Sequence, residues 1–352
     1  MIAGLSYKTH NGSFARRLIP FPSLQFPFGV QLMQNPKPTL VAPSRDLEDL
    51  VEKTKDYIRR AKSPATLRAY NSDFEDFARF CRDHRLTSLP ASPTTVALYI
   101  SHCAASLASA SINRRLTAIT KAHEAAGCKN SPASTHHFIV GETLKGIRRA
   151  IGTAQHGKDA LLTDDIRLMI EHCPSGARGI RDRALILTGF SGAFRRSELA
   201  ALEVNDVTFQ SEGLVIDLRR SKTDQEARGR EVGIPRGADE LTCPVRALER
   251  WLTYIDSGPV FRAIGKCGRI FYGPLTPDSV ARIVQQAAHR AGLVGDVSGH
   301  SLRSGHVTTA ARAGVPELTI MRQTGHRSVA TLRKYIRKGE LFTVNGATKL
   351  GL

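Results

Sequence analysis

Residues 298–338 read SGHSLRSGHVTTAARAGVPELTIMRQTGHRSVATLRKYIRK, and the rest of the chain is organised around them. His300 and Arg303 stand three apart where a helix begins, so both side chains fall on one face and can touch the same small anion. A second helix runs from Pro316, and Gly325, able to take the left-handed conformation, ends it just before His326. Ser328 caps a third, with Val329, Leu332 and Ile336 as its apolar stripe and Tyr335 beside that stripe, nine residues beyond His326. Taken singly, each feature has an ordinary structural reading: tyrosines beside helical stripes usually pack, and Gly-His is a common helix stop. Their joint order and spacing carry more weight.

A chain of 352 residues fits two domains, either large enough to bury its own core. Fifty Lys and Arg against 32 Asp and Glu give a net charge of +18, which favours a polyanionic partner, nucleic acid or an anionic membrane surface. No segment approaches the ~20 apolar residues needed to span a bilayer, so nucleic acid is the expected partner and no membrane is. The cysteines, Cys81, Cys103, Cys128, Cys173, Cys243 and Cys267, are scattered, with no Cys-x-x-Cys and no histidine at metal-ligand spacing. They read as reduced core cysteines of a cytosolic protein, and no structural metal is expected.

Residues 1–44 contain no Asp or Glu, hold six prolines from Pro20 to Pro43, and show neither helical nor strand period. They read as an irregular basic arm. From Arg45 to about Ala154 the pattern is helical throughout. Leu47, Leu50, Val51 and Thr54 open one helix, and Ser63-Pro64 starts another carrying Leu67, Tyr70, Phe74, Phe77 and Phe80. Residues 94–108, 109–126 and 141–151 give three more, making a compact bundle. Arg68, Arg114, Arg115, Lys121, Arg148 and Arg149 are candidates to line a basic side of it. TAQHGKD, residues 153–159, breaks the period, which places a boundary between residues 1–154 and a second domain over 155–352.

In that second domain Thr163-Asp164-Asp165 starts a helix, and residues 181–190 form a buried one ending at the glycines of GFSGAFRRSEL. The period then becomes two: VNDVTF, GLVIDLRR and REVGIP predict a small antiparallel sheet, with Lys222 in its last hairpin turn. Helices resume over 243–254 and 277–291. The expected fold is mainly α, a helical bundle followed by a mainly helical α+β domain with a small antiparallel sheet.

Arg195 in FRRSEL and Lys222 in RRSKTD precede the opening stretch in a telling order. With them, the chain resembles the tyrosine recombinases of the phage-integrase family over about residues 45–340, and SGHSLRSG is close to the Cre-like branch. The resemblance implies that Arg195 is the first active-site arginine, in an Arg-x-x-Glu motif with Glu198 as its buried orienting acid; Arg196 is one position off. It implies that Lys222 is the hairpin lysine, His300 and Arg303 the His-x-x-Arg box, and Tyr335 the nucleophile. His326 takes the position where Cre-like members carry tryptophan, the commoner integrase form. Residues 45–154 would be a core-binding, SAM-like DNA-binding domain, and 155–352 the catalytic domain with a C-terminal tail.

The chemistry explains these residue types. A phosphodiester attacked by an alcohol gathers charge on its non-bridging oxygens, and fixed donors must meet it. Two arginines supply forked donors and His326 another. Tyrosine ionises near pH 10 when unperturbed, so cationic surroundings favour the nucleophilic phenolate. His300 is placed to assist proton removal. The resemblance further implies a site-specific recombinase acting through a 3′-phosphotyrosine link without ATP, metal or cofactor. It would work as a homotetramer on double-stranded DNA with paired inverted half-sites, in the cytoplasm at the nucleoid. Two other readings stay open at this point: a type IB topoisomerase, which shares the chemistry but relaxes DNA as a monomer, and a DNA-binding regulator that does not cleave.

Overall fold

The computed structural model describes residues 45–128, 137–154, 157–219, 229–330, 332, 333 and 335. The basic arm, the hairpin turn bearing Lys222, and the tail beyond Tyr335 lie outside these residues. The chain divides into two compact units, residues 1–155 and 156–352.

The described part of the first unit is helical: α1 (Arg45–Arg60), α2 (Pro64–Asp83), α3 (Pro93–Ala104), α4 (Ser109–Ala125) and α5 (Phe138–Ile151). Helices α2 and α3 start the same way. A serine outside the helix, Ser63 or Ser92, accepts from a backbone N–H three residues on, and a proline takes the first helical position. Phe77, Tyr99, Ile100, Ile112 and Ile119 form the core of α2 to α5. Helix α3 stops at Ala104, four residues short of the sequence expectation, because the Ser106 and Leu107 amides fold back onto the Cys103 carbonyl. Helix α1 has the expected stripe but no place in that core: Leu47 and Leu50 are exposed.

Two acids on α2 anchor the bundle. Asp73 is buried and accepts a fork from Arg114 at 2.7 and 2.9 Å. Asp76 pairs with Arg115 and accepts from the Tyr99 hydroxyl at 2.9 Å, while Arg115 also donates to that hydroxyl at 2.6 Å. On α4, the buried His123 faces the Ile119 carbonyl with Nδ1 and accepts from the Ala91 amide with Nε2 at 2.9 Å, so both ring nitrogens are engaged.

The second unit builds α6 (Thr163–Glu171), α7 (Gly176–Ser191), α8 (Arg196–Ala201), α9 (Pro244–Leu252), α10 (Pro277–Arg290), α11 (Gly299–Arg312) and α12 (Glu317–Thr324) around two small sheets. The first sheet is antiparallel in the order β1 (Val207–Phe209), β2 (Gly213–Leu218), β3 (Arg230–Pro235). Leu214, Ile216 and Leu218 alternate into the core opposite Ile234, Val232 and Arg230. A second hairpin, β4 (Arg262–Ile264) with β5 (Ile270–Pro274), goes beyond the elements expected from sequence. The core lies under α7, α9 and α10, where the Trp251 indole donates to the Val260 carbonyl at 2.7 Å.

Helix α11 is enclosed almost all round, which explains its glycines. A Cβ at Gly305 would sit 1.7 Å from the Leu161 carbonyl oxygen, so only glycine lets that backbone approach. Val307 and Ala311 of α11, Ile320 of α12 and Leu332 form a separate small cluster against which Tyr335 packs.

Candidate active site

The start of α11 is fixed by Ser298, whose hydroxyl caps the helix while its own N–H donates to Ser301 Oγ at 2.9 Å. That cap leaves His300 exposed on the first turn and Arg303 facing inward, 2% accessible. Arg303 Nη1 donates to the Ala193 carbonyl at 2.8 Å, and Nη2 lies 3.4 Å from His326 Nε2. Ala193 holds a left-handed backbone, φ 51°, unusual for a residue with a Cβ. The GFSGAFRRSEL turn is therefore a strained loop pinned by the arginine it helps to place.

Arg195 follows that turn as the residue before α8. Glu198, buried in the first turn of α8, accepts from the Arg195 backbone N–H at 2.8 Å and from its guanidinium at 2.6 Å. One carboxylate thus caps the helix and orients the side chain. Arg196 points elsewhere, to Asp278 at 3.0 Å.

The Tyr335 hydroxyl is 2.8 Å from His300 Nε2. Its ring lies between two imidazoles, with centroids 6.0 Å from His300 and 6.1 Å from His326. Residues 329, 330, 332, 333 and 335 are helical, and Leu332 is fully buried, although Val329 of the expected stripe is exposed. Gly325 does end α12 in the left-handed conformation, φ 67°, and turns His326 inward.

The structure adds a third arginine. Arg230, the first residue of β3, donates to the Gln323 carbonyl at 2.7 Å, approaches Glu198 at 3.9 Å and lies against Gly325. Its Nε and Nη2 are buried with no hydrogen-bond partner among the described residues. Arg195, Arg230 and Arg303 are three guanidinium groups beside one carboxylate, Glu198, a local excess of two positive charges. Burial and then Arg195 push Arg303 down to about 9, against the pull of Glu198, so it remains charged at neutral pH. Burial likewise lowers Arg230. Burial, followed by Arg303 and Arg195, holds the His326 imidazole down to about 4, hence neutral at physiological pH.

Arg230 and Thr324, whose hydroxyl is 2.7 Å from His326 Nδ1, are the residues sequence reasoning missed. Neither carries a local signal. Arg230 reaches the site through the pairing of β3 with β2, and Thr324 through the turn at Gly325. Lys222 lies outside the described residues. Among those residues no group of three or more His, Cys, Asp and Glu is placed to hold a metal ion.

The candidate DNA contacts of the first unit divide. Arg68, Arg148 and Arg149 are exposed, Arg148 donating to Asn113 at 3.0 Å. Lys121 pairs with Glu124 on its own helix. Arg114 and Arg115 are tied to Asp73 and Asp76, and Arg115 is mostly buried.

An enclosed cluster of arginines beside a tyrosine and two histidines defines a class of phosphoryl-transfer site, and comparison identifies the family. Residues 159–340, just over half of the chain, match the phage integrase family, and residues 54–127 match the phage integrase N-terminal SAM-like domain. The integrase/recombinase xerD homolog of Selenomonas ruminantium is 38% identical over 307 residues, covering 86% of this chain and 90% of that protein. The chain belongs to the phage integrase family, the tyrosine recombinases. Its fold is also that of XerH recombinase bound to palindromic difH DNA, with a TM-score of 0.61 at 16% identity over 86% of this chain and 85% of the other. A lambda integrase tetramer bound to a Holliday junction gives 0.56 at 14% identity over 82% and 76%.

Proposed function

We propose that this chain is a site-specific DNA recombinase in which Tyr335 cleaves and rejoins duplex DNA. The observation that carries the reading is the Tyr335 hydroxyl, 2.8 Å from a histidine nitrogen, beside an arginine cluster with excess positive charge. Tyr335 Oη attacks the scissile phosphorus and loses its proton toward His300. An O–P bond to tyrosine forms as the P–O5′ bond breaks, leaving a 3′-phosphotyrosine and a 5′ hydroxyl. Arg195 and Arg303 hold the non-bridging oxygens, with Glu198 orienting Arg195 and His326 adding a hydrogen bond. Lys222, by family resemblance, protonates the leaving 5′ oxygen. Attack by a new 5′ hydroxyl reverses these steps, so the number of phosphodiester bonds is conserved and no ATP is needed. Guanidinium groups meet the transition-state charge where other enzymes use a metal.

Residues 155–352 are assigned to catalysis, 45–154 to core-site binding and 1–44 to a basic arm on the DNA backbone. Arg68, Lys121, Arg148 and Arg149 are the proposed contacts of the first unit, whereas Arg115 is assigned to the fold. We propose a homotetramer on DNA with paired inverted half-sites, acting at the nucleoid in the cytoplasm; the lambda integrase tetramer on a Holliday junction and XerH on a palindromic DNA support the assembly on DNA. The recombinase names of the relatives favour this over a topoisomerase or a regulator that does not cleave.

Incubation with a nicked suicide substrate, in chelator and without ATP, should trap a protein–DNA adduct for wild type and none for Tyr335→Phe. The variant keeps the packing ring and should bind DNA normally. An adduct mapped to Tyr254 or Tyr272, or a strict metal requirement, would overturn the assignment; product formation independent of a second site would favour a topoisomerase.

A further inference from the structure

His326 is held from both sides. Arg303 Nη2 faces its Nε2 at 3.4 Å, and Thr324 Oγ1 is 2.7 Å from its Nδ1. Thr324 is fully buried, and its hydroxyl also donates to the Ile320 carbonyl at 2.6 Å. A hydroxyl has one proton and a neutral imidazole has one. With the threonine proton on Ile320, Oγ1 can only accept from the ring, so the ring proton sits on Nδ1 and Nε2 shows Arg303 a lone pair.

That arrangement suits the site without DNA and opposes phosphate binding. A phosphate oxygen brings only lone pairs, and an unprotonated Nε2 has nothing to donate to it. Charging the ring is a poor remedy, because burial and the neighbouring arginines keep His326 neutral. Moving the proton to Nε2 is the alternative, and it requires Nδ1 to become an acceptor. Among the described residues, the group placed to supply a donor to Nδ1 is the Thr324 hydroxyl. Ile320 lies four residues before Thr324 in α12, so its carbonyl keeps a backbone role when the hydroxyl turns away.

We infer that Thr324 is a positioning residue for strand transfer: its hydroxyl anchors His326 through Nδ1 and, by turning from the Ile320 carbonyl to that nitrogen, selects the tautomer whose Nε2–H can reach a phosphate oxygen. The exchange releases one proton from Nδ1 and takes one up at Nε2 by way of solvent, with no change in charge. Valine would fill the same space in the small cluster but offer no oxygen. The inference rests on the recombinase reading above.

Single-turnover adduct formation on the suicide substrate tests it with Thr324→Val and Thr324→Ser, each with His326 and with His326→Trp. Thr324→Val should slow the reaction by about tenfold, the scale of one lost hydrogen bond. Thr324→Ser should stay within about threefold of wild type, since it keeps the hydroxyl. An indole N–H is always a donor and has no tautomer, so Thr324→Val should change nothing further beside His326→Trp. Full rate in Thr324→Val, or the same slowing beside tryptophan, overturns the inference. Should the tryptophan proteins not fold, nitrogen-15 NMR of labelled histidine decides. Free wild type should carry the His326 proton on Nδ1, and a proton on Nε2 overturns the proposal. Wild type that forms no adduct at all breaks the recombinase reading itself, an outcome distinct from all of these.

Discussion

The two units each contain a cluster of arginines, and the clusters differ in charge balance. On α2 and α4, Arg114 and Arg115 meet Asp73 and Asp76, and Arg79 also pairs with Asp76 from the exposed side, three cations for two carboxylates. In the second unit, Arg195, Arg230 and Arg303 share the single carboxylate Glu198. The outcomes are opposite: hydrogen bonds to Asp73 hold Arg114 above the ordinary arginine range and Arg115 ends above it despite its burial, while burial first, and then the neighbouring Arg195, push Arg230 and Arg303 below it. A nearly balanced cluster holds helices together; one with a single carboxylate for three arginines is destabilising until an anion arrives. Arginine content alone does not separate structural from functional sites, whereas the count of partnering carboxylates does.

The largest effect should come from the cluster around Glu198. Arg303→Ala should slow adduct formation by about 3–4 kcal/mol, the cost of losing one preorganised donor to transition-state charge. A rate near wild type would place the phosphate elsewhere.

His326 should give the next largest effect, read as stability against pH. Its folded-state pKa, about 4, lies below the 6.5 of the unfolded chain. As pH falls, the unfolded chain binds the proton first, so stability is lost from about pH 6.5 down to 4 and then levels. At about 1.4 kcal/mol per pH unit the loss approaches roughly 3.5 kcal/mol. The difference between wild type and His326→Gln in urea unfolding should show this slope within that window; parallel curves would contradict it.

Arg115→Ala, in the cluster of α2 and α4, should lower stability by about 2 kcal/mol while leaving the salt dependence of DNA binding unchanged. Arg68→Ala or Arg149→Ala should do the reverse, each reducing the slope of log K against log salt by about 0.9 with little effect on folding. A reduced slope in Arg115→Ala would make it a phosphate contact after all. The smallest effect concerns the strained turn beneath Arg303. Ala193→Gly should raise the melting temperature slightly, by no more than about 1 kcal/mol of stability, as the left-handed backbone loses its steric penalty.

Most of the machinery was legible because it is local. His300 and Arg303 share one helix turn, Gly325 stops a helix as glycine does, and Glu198 sits three residues from the arginine it holds. The alternation in β2 and β3 and the Ser63 cap of α2 are equally local. What could not be read depends on residues far apart in sequence. The pairing of Arg114 with Asp73 is one such case, set by the packing of α2 against α4 across 41 positions. Arg230 enters the site only through strand register and the end of α12, 93 positions on. The β4–β5 hairpin, RAIGKCGRIFYGP, lacks a clear alternation, and its second strand is largely exposed.

The small cluster beneath Tyr335 has a consequence for timing. Among the described residues, Val307, Ala311, Ile320 and Leu332 bury little apolar surface compared with the core under α7, α9 and α10, and Tyr335 leans on the smaller of the two. Local opening free energy scales with the apolar contacts that must be broken, so this segment should detach at a fraction of the free energy of global unfolding. The Leu332 amide, bonded to the Ser328 carbonyl at 3.3 Å, should therefore exchange with deuterium well before amides of α7. On this expectation the Tyr335 hydroxyl is carried by the part of the second unit that lets go first, so that its presence in the proposed site becomes a matter of occupancy, adjustable by whatever binds that segment, while the arginines wait on a frame that stays closed.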